Sequence, residues 1–573
     1  MNTIMKGSTM KKCSLFGILL LAATLLSAQT RPTKVIGAGL GSAAKSPYHL
    51  SSGTSLTLSR DTNYILTGFY YVDSLATLTI QSGTVILGDS ASNGTLIIRR
   101  GGKIVANGTA VQPVVFTSSK PAGQRKRGDW GGIVILGNAP TNKPVNTKIE
   151  GIDIGGEYGG ADPDDNSGIL RYVRIEYPGI VISLNNEING LTMGGVGRGT
   201  TIEYVQVTNS NDDSFEWFGG TVDAKYLVAL NGTDDDFDTD FGYSGRIQFA
   251  FGKRDPNLWD AAGQSNGFES DNDGTPTTAV PLTAPVFSNV TLLGPQADTT
   301  SALPAGHKFE YGAVLRRNTR LSIHNAIITG YPFGLSLRND STAAYALQGN
   351  LQIRNVSLQA RTNVLNTATV AGAVGFNFPN FYGTSGWNNL GGTPRQPAAI
   401  GLVDAFNTTL PDARPAAGSE AVTAGTSFAS PQVSGPFFTQ TQYRGAFDPS
   451  KARDQQWDFG WTNYAPQNKD YSSGTTGVHS VASALPSAFS LGQNYPNPFN
   501  PATTIRYQVP ASGAVTVKVY SMIGQEIATL VDDVQTAGEY AVTFDASAFS
   551  SGIYFYTLTS GMQTQTKKML LLK

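Results

Sequence analysis

Leu170-Arg-Tyr-Val-Arg-Ile-Glu-Tyr177 and Ile202-Glu-Tyr-Val-Gln-Val-Thr-Asn209 match almost position for position, and this recurrence decides the fold. Each alternates apolar and polar residues, the period of a strand with one buried face. Phe287-Ser-Asn-Val-Thr-Leu292, Ile323-His-Asn-Ala-Ile-Ile328 and Ile353-Arg-Asn-Val-Ser-Leu358 repeat the idea downstream. Asn289, Asn325 and Asn355 hold one place in these three, which predicts an Asn ladder hydrogen-bonded from coil to coil. Upstream, Leu78-Thr79-Ile80, Leu96-Ile97-Ile98, Val114-Val115-Phe116 and Ile133-Val134-Ile135 recur about every 18 or 19 residues. A short strand cannot bury its apolar edge alone, so repetition at a fixed interval marks a solenoid whose turns cover one another. The pattern predicts an all-β chain with a right-handed parallel β-helix body, about three short strands per coil. Uneven intervals predict loops inserted between coils. A β-sandwich or propeller is the competing architecture.

Composition agrees. Charged residues make up 14% of the chain, against about 25% in a typical soluble protein, and Gly is abundant at 65. Net charge is −1, so no general attraction to nucleic acid or anionic membrane is expected. The one cysteine, Cys13, lies in a leader-like segment, which leaves no disulfide or thiolate metal site in the remainder. In that leader Lys6, Lys11 and Lys12 precede the apolar run Leu15 to Leu26, too short to span a bilayer. A signal peptide over residues 1–28 is therefore expected, with cleavage after Ala28 and no transmembrane anchor.

The body is expected over residues 29–470 and a Ser/Gly/Thr-rich linker over 471–486. Residues 487–573 carry a compact period-two pattern, the mark of a small Ig-like β-sandwich. The run Leu78-Thr-Ile…Gly83-Thr-Val-Ile, with Arg100-Gly-Gly-Lys-Ile-Val-Ala-Asn-Gly-Thr109 and Gly128-Asp-Trp-Gly-Gly-Ile-Val-Ile-Leu-Gly137, resembles secreted β-helix proteins of Bacteroidota-type bacteria over roughly residues 35 to 465. Tyr443-Arg-Gly-Ala-Phe447 with Trp457 and Gly460-Trp461 is similar to the closing segment of such bodies and reads as a cap over the last coil. The final segment resembles the type A C-terminal sorting domain of the type IX secretion system. The carrying residues are Asn494, Tyr495, Pro496, Asn497, Pro498, Phe499, Asn500 and Pro501, then Ser551-Gly-Ile-Tyr-Phe555 and the basic pair Lys567 and Lys568. That resemblance implies handling by an outer-membrane translocon and delivery to the surface of a Gram-negative cell or the medium.

Candidate chemistry sits in an acidic ladder. Phe215-Glu216, Phe237-Asp238, Phe268-Glu269 and Phe309-Glu310 repeat one dipeptide, and strand alternation predicts Phe inward and carboxylate outward. Asp213, Asp235 and Asn266 stand two residues before the first three Phe. Asp234, Asp236, Asp238 and Asp240 alternate as if to share one strand face, and Glu269-Ser-Asp271-Asn-Asp273-Gly274 has the oxygen spacing of a calcium loop. Calcium is therefore a candidate ligand, and a solvated acidic edge is the plain alternative. Asp212, Asp213 and Glu216 are candidate glycosidase carboxylates, and Lys308, Arg316 or Arg317 a candidate lyase base. Trp217, Phe218, Trp259 and Tyr311 are candidate sugar-stacking aromatics. Gly425-Thr-Ser427-Phe-Ala-Ser-Pro431 resembles a subtilisin-type nucleophile motif, but Gln432 stands where that family has His, and none of His49, His307, His324 and His479 lies in its His-Gly-Thr setting. Two functions stay open: a non-enzymatic surface or extracellular protein, with extracellular glycan as a possible partner, and a polysaccharide lyase or hydrolase.

Overall fold

The computed structural model describes residues 31–183, 186–261, 263–298, 300–472, 479–481, 489–510, 513–535, 538–561 and 563–572. The leader over residues 1–28 and most of the expected linker lie outside them.

The body is a parallel β-helix. Two large sheets, of 16 and 11 strands, run its length, and every pairing within them is parallel. Leu170 pairs with Ile202, Arg171 with Glu203 and Val173 with Val205, so the matching octapeptides stack one coil apart. Tyr172 and Tyr204 drop out of the ladder because both turn left-handed, at φ 49 and 54. The bend recurs at Tyr226, Phe249, Asn289, Asn325 and Asn355 and divides each long strand into two faces of the coil. An L-residue gains nothing locally from that conformation, whose cost is about 1–2 kcal/mol. Stacking offsets it: Tyr172–Tyr204 and Tyr204–Tyr226 ring centroids are 4.3 Å apart, and Phe249 follows at 5.1 Å. Inside, one continuous core of Leu, Ile, Val and Phe runs from Leu58 to Trp387.

Two expectations need correction. The Asn ladder does form a row of corners that bond from coil to coil, but through other side chains rather than Asn to Asn: Asn325 Nδ2 donates to Ser288 Oγ (3.3 Å), which donates to Asn289 Oδ1 (3.1 Å). Asn289 Nδ2 donates to Thr441 Oγ1 (2.9 Å), and Asn325 exchanges side-chain bonds with the Ser427 backbone (3.1 and 3.3 Å). The closing segment is likewise no cap over the last coil. From residue 425 to 471 it runs back along the outside of the body as a strap. It meets Asn325 through Ser427, Gln248 through Thr439, Gln206 through Asn463 and Asn63 through Tyr471. Tyr471, assigned by composition to the linker, is buried and bonds the Glu176 carboxylate at 2.7 Å. The far end is closed instead by the short helix Phe378–Tyr382 and Trp387, which join the main core.

Beyond the body, residues 490–571 together with the strand His479–Val481 form two four-stranded antiparallel sheets facing across a core of Ile505, Tyr507, Val517, Phe544, Tyr556 and Leu571. Asn494 is tied to the Tyr556 hydroxyl (2.8 Å) and Thr503 (3.0 Å), and Phe499 is buried beside Leu571. Tyr495 and Lys568 stay exposed, while Asn497 Oδ1 accepts from the Leu570 N–H. Among the described residues, no helix is long and apolar enough to cross a membrane.

Candidate acidic cation site

Six strands of the 11-stranded sheet build the site: β1 (Leu191–Val196), β2 (Phe215–Gly220), β3 (Phe237–Asp240), β4 (Phe268–Ser270), β5 (Tyr311–Leu315) and β6 (Phe333–Arg338). Phe215 pairs with Phe237 and Phe237 with Phe268, so Glu216, Asp238 and Glu269 fall in register on the outer face. The three Phe rings stack inside at 5.6 Å spacing. Three of the four Phe–acid pairs therefore stack as alternation dictates.

The fourth does not. Phe268-Glu269 pairs with Ala313-Val314 of β5, which puts Phe309-Glu310 ahead of the strand. Glu310 instead faces Arg338 at 3.9 Å. The roughly 40 residues between β4 and β5 shift the phase by four positions.

Two residues before each Phe runs a second ladder. Asp235 N–H donates to Asp213 Oδ1 (2.7 Å), Asn266 N–H to Asp235 Oδ1 (2.6 Å) and Tyr311 N–H to Asn266 Oδ1 (3.0 Å). Each side chain so bonds the next coil; Asp213 and Asp235 keep a second oxygen for the acidic cluster, whereas the Asn266 amide donates to Gln264 O at 3.2 Å. Asn189 holds the corresponding place before Leu191 and donates to Glu216. Sequence reading missed Asn189, although its position two residues before the strand was the available signal.

These ladders gather seven carboxylates into three overlapping groups, each with one oxygen per residue within 4.8 Å of the others: Asp212, Asp213 and Asp234; Asp213, Glu216 and Asp238; Asp235, Asp238 and Glu269. Such a cluster could hold a metal ion. Burial, then mutual repulsion, holds Asp212, Asp213, Glu216, Asp234 and Asp238 far above the ordinary carboxylate range. Burial likewise pushes Glu269 up to about 8, and Asp235 to about 6 against the pull of Arg254. Among the described residues, Asp234 Oδ1 and Asp238 Oδ1 are buried and have no hydrogen-bond partner. An insertion over residues 138–166 walls one side with Glu150 and Tyr158, packing on the outer face through Ile149, Ile152 and Phe218.

Several expected ligands are engaged elsewhere. Asp236 is drawn inside, where it meets Arg254 at 3.1 Å with both side chains fully buried and accepts from the Tyr331 hydroxyl at 3.2 Å. It therefore does not share a face with Asp234, Asp238 and Asp240. Asp240 lies on the outer face opposite Phe218, outside the three groups. Asp271 takes Arg316 (2.9 Å) and Arg317 (2.6 Å), Glu269 also pairs with Arg316, and Asp273 is held by Lys143. The calcium-loop spacing of residues 269–274 is thus used for ion pairs rather than for one ligand shell.

The candidate bases and aromatics fare likewise. Arg316 is held firmly protonated by Glu269 and Asp271. Lys308 is exposed outside the cluster. Trp217 is inside the core and Phe218 lies under the insertion. Tyr311 is buried with its hydroxyl bonded to Asn366, and Trp259 packs edge-on to Phe309. Ser427 belongs to the strap, and the His324 ring bonds Gln432 (2.9 Å), not the serine.

The model of the pectate-lyase-like β-helix domain matches residues 50–392, more than half of the chain. The chain belongs to this β-helix family. The secretion system C-terminal sorting domain matches residues 493–572 of this family member, which identifies a protein exported by the type IX route to the cell surface or extracellular space. No curated protein gives a significant match.

Proposed function

We propose that the β-helix body is a non-enzymatic extracellular binding module that takes up calcium at the seven-carboxylate cluster. The observation that carries this reading is the crowding of three carboxylate groups within 4.8 Å, with Asp234 Oδ1 and Asp238 Oδ1 buried and unpartnered. Like charges this close need either protons or a cation between them. A cluster made only of carboxylate oxygens suits a hard cation, and calcium tolerates the irregular, many-oxygen geometry that magnesium resists. Arg316, the residue nearest to a catalytic base, is tied to two acids, which speaks against proton abstraction. Calorimetry of the purified chain should show calcium uptake with proton release and a rise in melting temperature. Magnesium should do less, and Asp238→Asn, which removes a member of two groups, should abolish both effects. Absence of calcium heat and of any melting shift would sink the reading.

A second reading draws support from membership in the pectate-lyase-like family: an enzyme acting on an extracellular polysaccharide. Release of unsaturated or reducing sugar ends by the purified body would establish it. Glycan binding without turnover would return the body to the first reading.

A further inference from the structure

In the loop from the strand Val114–Ser118 of the 16-stranded sheet to Gly132–Leu136 of the 11-stranded sheet, Arg125, Lys126 and Arg127 line a cleft of about 430 Å³ with Tyr177, Asn209 and Gln467. Three consecutive cations are unusual in a chain with so few charges. Among the described residues, none of the three side chains is in an ion pair, and the nearest acid, Asp129, accepts from the Lys126 backbone N–H at 2.9 Å. The three side-chain charges are thus not neutralised by side-chain ion pairs, and positive charge outnumbers negative around the cleft.

The cleft is built, not a loose surface patch. Arg125 is 6% exposed; its Nη1 donates to Pro466 O (3.0 Å), its Nε to Lys120 O (3.3 Å), and its guanidinium lies 5.1 Å over the Tyr471 ring. Gln467 Nε2 donates back to Arg125 O (3.1 Å), so strap and loop fix each other. Tyr177 and Asn209 sit on successive coils, both at left-handed corners (φ 63 and 56) whose backbone N–H groups bond the next coil. Tyr177 is 2% exposed, yet its hydroxyl, beside Asn209 and Arg125, makes no hydrogen bond of normal geometry. Asn209 is its one hydrogen-bonding neighbour among the described residues, and a buried hydroxyl left with a poor hydrogen bond forfeits part of the roughly 1–3 kcal/mol that a good one restores. Burial also lowers the Arg127 pKa, against the pull of the more distant Asp255.

We propose that this cleft is an oxyanion site, in which Arg125, Lys126 and Arg127 supply the charge and the Tyr177 hydroxyl donates a hydrogen bond to a sulfate or phosphate group. The residues offer a preponderance of donors: two guanidiniums, an ammonium, a phenol and two amide NH₂ groups. Guanidinium forks match tetrahedral oxyanions in pairs, and the phenol adds a neutral donor from within the fold. The volume exceeds that of a bare ion, which leaves room for the group that carries it as an ester.

The test uses the full secreted chain. Calorimetry and thermal melting would be run with sodium sulfate, sodium phosphate and galactose 6-sulfate, with sodium chloride at matched ionic strength and galactose as controls. We expect saturable binding of at least one oxyanion, weakened about tenfold or more by Arg127→Gln and about fivefold by Tyr177→Phe. Both variants should melt within a few degrees of the parent without ligand. Saturation by the inorganic ions points to a free anion, whereas binding of the sulfated sugar alone points to an ester on a glycan. The assignment is overturned if no oxyanion binds better than chloride, or if Arg127→Gln binds as the parent does. Calcium uptake is measured separately at Asp238, so the two sites succeed or fail independently.

Discussion

Two outer faces of the same coils carry polar residues, and the chain treats them in opposite ways. Along the strap, Gln206, Gln248, Asn289 and Asn325 each meet a partner from residues 427–463, and Arg174 and Glu176 meet Tyr471. On the acidic face, carboxylates meet chiefly one another, and two of their oxygens are buried without partners. A polar row matched by its own chain is architecture. A polar row that is crowded, buried and unmatched has a shape that something else must complete.

The sharpest break comes beneath the acidic face. Arg254→Met would leave Asp236 buried and uncompensated and remove donors to the carbonyls of Gly232, Asp234 and Asn266. A loss of about 3–5 kcal/mol is expected, read as a large fall in denaturant midpoint. On the strapped face, Asn289→Ala removes bonds to Thr441 and Gln248 and places Ala at φ 54. A loss of about 2–3 kcal/mol is expected, with calcium binding intact by calorimetry.

The faces should also answer pH in opposite senses. Burial, with Gln432 opposing, lowers His324 under the strap to about 4. The unfolded chain then binds the extra proton first, so stability falls as pH drops from about 6.5 toward 4. His324→Gln should flatten that part of a melting-temperature profile. The acidic cluster does the reverse: its carboxylates are raised, Glu269 to about 8, so the folded chain holds more protons than the unfolded one. In chelator its contribution should therefore fall as pH rises from about 4 through 8, and calcium should restore it. Asp238→Asn removes one crowded charge, so in chelator at pH 8 it should melt no lower than the parent. The smallest effect is expected from Glu310→Gln, within about 0.5 kcal/mol in stability and with calcium affinity unchanged, since Glu310 lies off the ladder.

The coils were legible because alternation and repeat length leave a stacked strand little choice of face. Phe215, Phe237 and Phe268 could be aligned from sequence for that reason, and their acids followed. Phe309-Glu310 misled because a dipeptide carries no record of the phase shift that a long insertion introduces. Asp236 misled because Arg254, 18 residues on, folds beneath it, and alternation is blind to such long-range partners. The strap was hidden for the same reason. Residues 425–471 have no strong periodicity, and their partners lie as far back as Asn63, 408 residues away from Tyr471.

That distance has a mechanical meaning. A solenoid held only by neighbouring coils behaves as a row of dominoes, able to fray from either end one coil at a time. A strap pinned at Asn325 near one end and at Asn63 near the other couples those ends. Fraying the first coil then also loosens the contact line that holds the last. The row would come apart as one unit, and a protease meeting it outside the cell would find few half-open coils to cut.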